Sequence, residues 1–326
     1  MKIGIFTSLQ SNTFVERSIN ACKELGVEYQ VIDVLSSDWI NLILSSNCDG
    51  FYCSSVCLSQ EKKSILDERY YFISQVMKKT IYPDFLALYI HENKRNMSYW
   101  LEMHNIPHPK TNVFTRKKDA INYLNNTSYP IVVKANVGAG ASKVRIVNSK
   151  FRAKMMAAKC FIEDKRFLFA NLGLIYNTKI KGILFPDIHN IQKDYFLVQE
   201  YISEVIHEWR IIKIGNSYFG HQKLLKGKYA SGSGKVGWVE PPKKLLLLTK
   251  EICDKGNFFS MAVDILETKS GEYYVNELQA SFGSEMNYQM KINNRPGRFY
   301  YDDTTNEFIF EDGEFNIFGS HKLKIE

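Results

Sequence analysis

The chain has 326 residues, of which 45% are hydrophobic, 24% charged and 13% aromatic, a balance that excludes extensive disorder and suits a globular protein of two or three subdomains. Its net charge of +7 comes from 42 basic residues scattered among 35 acidic ones. Pairs and triplets such as Lys62-Lys63, Arg116-Lys117-Lys118 and Lys243-Lys244 do not make a nucleic-acid stripe, and they leave a mild attraction for anionic substrates.

No apolar run approaches the ~20 residues of a membrane span. Cys22, Cys48, Cys53, Cys57, Cys160 and Cys253 lack the spacing of a zinc site and read as reduced thiols. With no signal-peptide shape at the start, the expectation is a cytoplasmic protein.

The chain opens on a strand, residues 2–6, then a polar loop at 7–12 and an amphipathic helix from Phe14 to Leu25. Gly26 ends it. Tyr29 to Val34 is the next strand, Trp39 to Leu44 a helix, and Gly50 to Ser54 a third short strand. A long helical stretch runs from Leu58 to Lys79, and Tyr82-Pro83 with Leu86 to Ile90 is expected to bring the chain back to a strand. Strands alternating with helices predict a parallel sheet, so residues 1–91 read as a Rossmann-like domain. The G-x-G-x-x-G fingerprint is missing, which argues against a dinucleotide there.

A helix from Glu92 to Asn105 carries Lys94, and prolines 107 and 109 stop it. Thr111 to Thr115 is a strand and Arg116 to Leu124 a helix. Residues 129–147 then read as strand, glycine loop, strand: Ile131 to Val133 and Val144 to Val147 are β-branched runs, with Gly138, Gly140 and Ser142 between them. Lys134 closes the first strand. An ammonium beside backbone N–H donors suits a polyphosphate; the plain alternative is a hairpin with a surface lysine. A helix at 152–162 leads into an insertion, up to Tyr195, whose pattern assigns no element.

Phe196 to Ile202 is a strand, and Glu208 to Ile214 with Ser217 to His221 form a hairpin turning at Gly215-Asn216. A Gly/Ser loop at 231–234 and a helix from Leu245 to Lys255 follow. Two apolar strands come next, Phe259 to Leu266 with Asp264 inside it and Glu272 to Gln279 with Glu277 inside it. The tail, 298–326, predicts a hairpin around Asp302-Asp303. Carboxylates inside apolar strands need partners, and two facing each other repel unless a cation lies between. Magnesium is one such cation, held by carboxylates together with phosphate oxygens. Edge carboxylates facing water, or partners for Lys213 and Arg210, are the alternative.

In chain order, Lys134 with its glycine loop, the segment Gln199-Glu200-Tyr201-Ile202, Glu208-x-Arg210, Asp264 and Glu277-x-Gln279 resemble the ATP-grasp superfamily. That superfamily includes glutathione synthetase, D-alanine–D-alanine ligase and the ligase that adds glutamates to a ribosomal protein. The resemblance covers most of the chain. It implies an α/β (α+β) ATP-grasp architecture: a Rossmann-like pre-grasp domain (1–91), a central subdomain with the glycine-rich lid (92–197) and a C-terminal subdomain with the magnesium ligands (198–326).

It also implies roles. Lys94 and Lys134 bind phosphates, and Gly138, Gly140 and Ser142 form the lid over them. Glu200, Tyr201 and Ile202 hold adenine, largely through backbone groups. Glu208, with His207 and Glu204 as competitors, holds the ribose hydroxyls. Arg210 stabilises the transferred phosphoryl group, and Asp264, Glu277 and Gln279 ligate the metal. The chain departs from the family at Gln279, usually Asn, at Ala135, usually Pro, and at Ala139 and Ala141 in the glycine loop. Gln offers the same carbonyl oxygen on a longer stem.

The reaction implied is ATP-driven joining of a carboxylate to an amine through an acyl phosphate, releasing ADP and phosphate. ATP and Mg²⁺ (or Mn²⁺) are the implied cofactors, and a small-molecule carboxylate and amine the partners, with no nucleic acid or membrane and a homo-oligomer left open. Lys223 and Lys226 are candidates to hold the carboxylate, with Arg295 and Arg298 behind them. A phosphotransferase and a non-catalytic ATP-binding regulatory module are the alternatives. The full set of Lys134, Arg210, Asp264 and Glu277 argues against the second. The loop at 7–12 and the C-terminal tail are expected to line the acceptor site, and neither names a substrate.

Overall fold

The computed structural model describes residues 1–7, 12–54, 59–138, 143–161, 193–224 and 235–326. Strands β1 (Lys2–Phe6), β2 (Glu28–Ile32), β3 (Gly50–Tyr52) and β4 (Thr80–Tyr82) pair in parallel in the order β2-β1-β3-β4. Parallel neighbours need crossovers. Helices α1 (Thr13–Leu25), α2 (Trp39–Ser45) and α3 (Gln60–Tyr71) supply them, the last running on into a π-helical turn at Phe72–Val76. Gly26, at φ 65°, caps α1 in the left-handed conformation that glycine adopts without a side-chain clash. Phe6, Ile32, Phe51, Tyr70 and Ile73 form the core of this layer, and the parallel sheet expected from the sequence is present.

Residues 85–90 depart from expectation. They form helix α4 (Phe85–Ile90), not a strand. Pro83 has no N–H for a sheet ladder, and Asp84 caps the new helix by accepting the Ala87 N–H at 2.9 Å. Helix α5 (Lys94–Met103) follows at once, and its Trp100 and Leu101 pack into the core of the third sheet, with Ile211, Val263 and Leu278.

The second sheet is antiparallel, β5 (Thr111–Phe114), β6 (Ile131–Lys134), β7 (Val144–Val147) and β8 (Phe196–Glu200) in the order β5-β8-β6-β7. Helices α6 (Lys117–Asn126) and α7 (Lys150–Cys160) bury Ala120, Leu124, Ala153 and Ala157 against it. β8 lies wholly in this sheet and spans the 197/198 division read from the sequence. The third sheet holds β9 (Val205–Ile214), β10 (Ser217–Lys223), β11 (Val236–Gly237), β12 (Ser260–Thr268), β13 (Tyr273–Gln279), β14 (Lys291–Ile292), β15 (Arg295–Asp302) and β16 (Glu307–Asp312). Its order is β13-β12-β9-β10-β15-β14, with β11 on β10 and β16 on β15. Helix α8 (Lys243–Gly256) packs Leu245, Leu246 and Ile252 into its core.

The tail forms the hairpin expected around Asp302, then returns to the first layer. Helix α9 (His321–Ile325) lies against α1, where Ser18 Oγ and His321 Nδ1 are 2.9 Å apart and Lys322 pairs with Glu24. Cys22, Cys48, Cys53, Cys160 and Cys253 are buried free thiols; Cys57 lies outside the described residues. No helix among the described residues is long and apolar enough to cross a membrane.

Candidate active site

Strands β9, β12 and β13 lie side by side, so side chains at matching positions meet. The register sets Asp264 opposite Arg210 on one side and opposite Glu277 on the other. Arg210 Nε and Nη2 donate to Asp264 Oδ1 and Oδ2, each at 2.8 Å, and Nη2 also reaches Gln279 Oε1 at 3.0 Å. Lys223 stands opposite Glu208 on β10; it pairs with Asp264 and donates to Glu208 Oε2 at 3.2 Å. Asp264 and Glu208 are 0% and 1% exposed, so without these cations their charges would be untenable. Burial alone would push the Asp264 carboxyl up, but Arg210 and Lys223 outweigh it and hold Asp264 well below the usual carboxylate range. Burial and the charge of Asp264 push Glu208 up, with Lys223 and Asn276 opposing.

Asn276 reaches this cluster through a β-bulge. Asp264 pairs with Glu277 and Ile265 with Val275, which leaves Asn276 as the extra residue on β13. A bulge re-aims side chains that strict alternation would send to the other face. Asn276 Nδ2 donates to Glu208 Oε1 at 2.8 Å, and its Oδ1 accepts from Lys134 Nζ at 3.0 Å. That contact joins the second sheet to the third. Lys134 is buried; burial pushes its ammonium down to about 8, Lys94 acts in the same direction, and Glu277 and Glu208 oppose. Lys94 donates to the Gly138 carbonyl at 2.8 Å and lies 3.8 Å from Glu277 Oε1, while Gln279 Nε2 donates to Glu277 Oε2 at 3.0 Å.

The fold thus gathers Lys94, Lys134, Glu208, Arg210, Lys223, Asp264, Glu277 and Gln279, residues spread over more than half the chain. The oxygens of Glu208 are taken by Lys223 and Asn276. Its competitor His207 pairs with Glu267 at 2.7 Å, and Glu204 is exposed. Glu200 is exposed at the end of β8, with Tyr201 and Ile202 half-buried after it. Arg210 does partner Asp264, as the plainer reading of the strands allowed; Lys213 stands opposite Met261. Arg295 and Arg298 are held on the β15–β16 hairpin by Asp312 at 3.0 Å and Glu311 at 2.9 Å, so they are occupied there as structural pairs. Gly140, Ser142, Lys226, the 231–234 loop and most of the 7–12 loop lie outside the described residues.

Asp264, Glu277 and Gln279 offer hard oxygen donors in one cluster, the donor chemistry magnesium takes. Because Arg210 and Lys223 occupy Asp264, and Arg210 also holds Gln279 Oε1, Glu277 is the more available donor. Among the described residues no group of three or more His, Cys, Asp or Glu is placed to hold a metal ion. Phosphate oxygens would have to complete the shell, as magnesium sites with one or two carboxylates require.

No family model matches the chain. It is 25% identical over 286 residues to the alpha-aminoadipate–LysW ligase LysX of Saccharolobus solfataricus, an alignment spanning 83% of this chain and 89% of that one. Among solved structures, D-cycloserine synthetase DcsG superposes with a TM-score of 0.60 at 14% identity, covering 86% of this chain and 91% of that one. A RimK domain ATP-grasp protein from Sphaerobacter thermophilus gives 0.54 at 13% identity, covering 85% and 90%. The ADP complex of PurK, N5-carboxyaminoimidazole ribonucleotide synthetase, gives 0.59 at 14%, covering 90% and 71%. The chain has the ATP-grasp fold.

Proposed function

We propose that this ATP-grasp chain is an ATP-dependent carboxylate–amine ligase that releases ADP and phosphate. One observation carries the reading: Arg210 and Lys223 converge on the buried Asp264 beside Glu277 and Gln279, while Lys134 and Lys94 bring two further cations from the elements facing them. A cluster of this kind is matched to a polyphosphate, whose charge it disperses. Lys94 and Lys134 hold the phosphates and Glu200 to Ile202 provide the adenine strap, while Glu208, its oxygens taken by Lys223 and Asn276, belongs to the charge cluster and not to the ribose site first expected of it. Magnesium, held by Glu277 and Gln279 with Asp264, would neutralise charge on the β- and γ-phosphates.

Arg210 and Lys223 stabilise charge on the phosphoryl group in transfer. A substrate carboxylate oxygen forms the bond to the γ-phosphorus as the bridging bond breaks and ADP leaves with the electron pair. The amine then attacks the acyl carbon and phosphate departs. Positioning and charge neutralisation do the catalysis, with no covalent enzyme intermediate. The Saccharolobus relative is named for alpha-aminoadipate, so amino-dicarboxylates head the substrates to try.

The test is ADP release from MgATP over a panel of carboxylates, with hydroxylamine as the amine. Hydroxamate formed in step with ADP supports the ligase. A stable phosphorylated product that needs no amine supports the phosphotransferase alternative instead, and ADP release indifferent to every carboxylate overturns the reading.

A further inference from the structure

Helix α4 ends at His91; the chain turns through Glu92, at φ 49°, and enters α5 with Asn93 accepting the Asn96 N–H at 3.2 Å. His91 is thereby fixed from both sides, and it is only 3% exposed. Neither ring nitrogen has a hydrogen-bond partner among the described residues. The Leu278 backbone bears on the ring as a weak hydrogen-bonding group, acting against the burial. Burial, then Lys63 and Lys94, pull the imidazole down to about 3, so it is neutral, with one N–H donor and one acceptor nitrogen. Buried polar groups are nearly always satisfied, and an exception calls for a partner.

Its surroundings indicate which partner. His91, Asn93, Lys94, Glu277, Gln279 and Ser281 line a cavity of about 110 Å³. A second cavity, lined by Thr111, Lys134, Gln199 and Asn276, shares Lys94 with it. The second cavity lies on the nucleotide side, beside the strand that leads to the adenine strap. Glu277, Gln279 and Lys94, which the proposed function sets at the phosphate end, line the same cavity as His91. A molecule in the His91 cavity would therefore share Lys94, Glu277 and Gln279 with the phosphate end of the nucleotide.

On the ligase reading above, we propose that His91 binds the substrate carboxylate, donating a ring N–H to one carboxylate oxygen while the other attacks the γ-phosphorus. A neutral donor suits this task. A full cation in the same place would hold the carboxylate more tightly but draw electron density from the attacking oxygen. His91 itself gains and loses no proton in the step; the P–O bond to the carboxylate forms as the bridging bond breaks, and ADP carries away the electron pair.

The experiment uses the full chain with MgATP, hydroxylamine and a carboxylate panel of L-2-aminoadipate, the standard amino acids and glutamate-containing peptides, scored by ADP and hydroxamate. For whichever carboxylate the native enzyme accepts, His91→Ala is expected to raise its KM about tenfold or more, with the KM for ATP and the affinity for MgADP unchanged and His91→Asn partly restoring it. An unchanged carboxylate KM in a variant that still binds MgADP overturns the His91 assignment and leaves the ligase reading intact. A native enzyme that responds to no carboxylate overturns the ligase reading, and this assignment with it. If both variants fail to fold, the imidazole ¹⁵N resonances of native His91 decide: they shift when the carboxylate joins the MgADP complex, and their constancy counts against the proposal.

Discussion

Arg210 grips Asp264 at two points across neighbouring strands, Nε to Oδ1 and Nη2 to Oδ2, both at 2.8 Å, and the carboxylate it holds is fully buried. Removing that guanidinium leaves a desolvated charge with Lys223 as its one remaining cation. Arg210→Ala should therefore cost about 3 kcal/mol of stability and lower turnover by about 10²–10³-fold. Arg210→Lys keeps the charge but not the fork, so it should recover much of the stability and little of the turnover. Urea midpoints and ADP release measure the two separately; an unshifted midpoint for Arg210→Ala would show that Asp264 does not depend on it.

Lys223 and Arg210 share one anion, so their losses should not add. Either Lys223→Met or Arg210→Met leaves Asp264 one cation, while the double variant leaves it none. The double variant is expected to be less stable than the sum of the singles by about 1 kcal/mol or more. Strict additivity in urea denaturation would mean that the two cations serve different partners.

Much of this site could be read from the sequence because the chemistry sat inside plain strand patterns. Asp264 and Glu277 stood out as charges in apolar strands, and Glu208 and Arg210, two residues apart, had to share a face. Asn276 escaped the same logic. Alternation puts it on the face opposite Glu277, and only the bulge, invisible to a period-two reading, turns it toward Glu208 and Lys134. The helix at 85–90 escaped because its apolar run is too short to show a period, and the Asp84 cap decides it. His91 was missed for a different reason: what sets it apart is the absence of a partner, a property of packing with no local sequence signal.

Glu277 faces the cavity with its side chain 24% exposed, so its charge contributes to ligand binding more than to the fold. Glu277→Gln keeps the shape and removes the anion. Turnover should fall by about 100-fold or more, with the magnesium concentration for half-maximal ADP release raised and the melting temperature nearly unchanged. A variant with native magnesium dependence would remove Glu277 from the metal site.

Gly4 sits opposite Phe51 on the adjacent parallel strand, and a Cβ there would lie 2.4 Å from the phenyl ring. The ring stacks on Phe6 at 5.3 Å and cannot withdraw without disturbing the first layer's core. Gly4→Ala should destabilise the protein by about 1–3 kcal/mol while leaving the affinity for MgADP unchanged in the folded fraction. Thermal melts and nucleotide titration check both halves.

His321 joins the C-terminal helix to α1, and it is buried as the neutral imidazole. Burial, with Lys324 and Arg17 acting in the same sense, holds it down to about 2. Unfolding restores an ordinary pKa near 6.5, so below that pH the unfolded chain takes up a proton that the folded chain refuses. The stability this group contributes is complete above about pH 6.5 and is lost progressively as the pH falls toward its folded value, amounting to about 2 kcal/mol by pH 5. His321→Asn removes the titrating ring, and although it forfeits packing against Phe14 and Tyr52, it should flatten the acid limb between pH 7 and pH 5. Urea midpoints across that range provide the measurement. An acid limb as steep in the variant as in the native chain would place the sensitivity in other groups and leave the α1–α9 joint indifferent to pH.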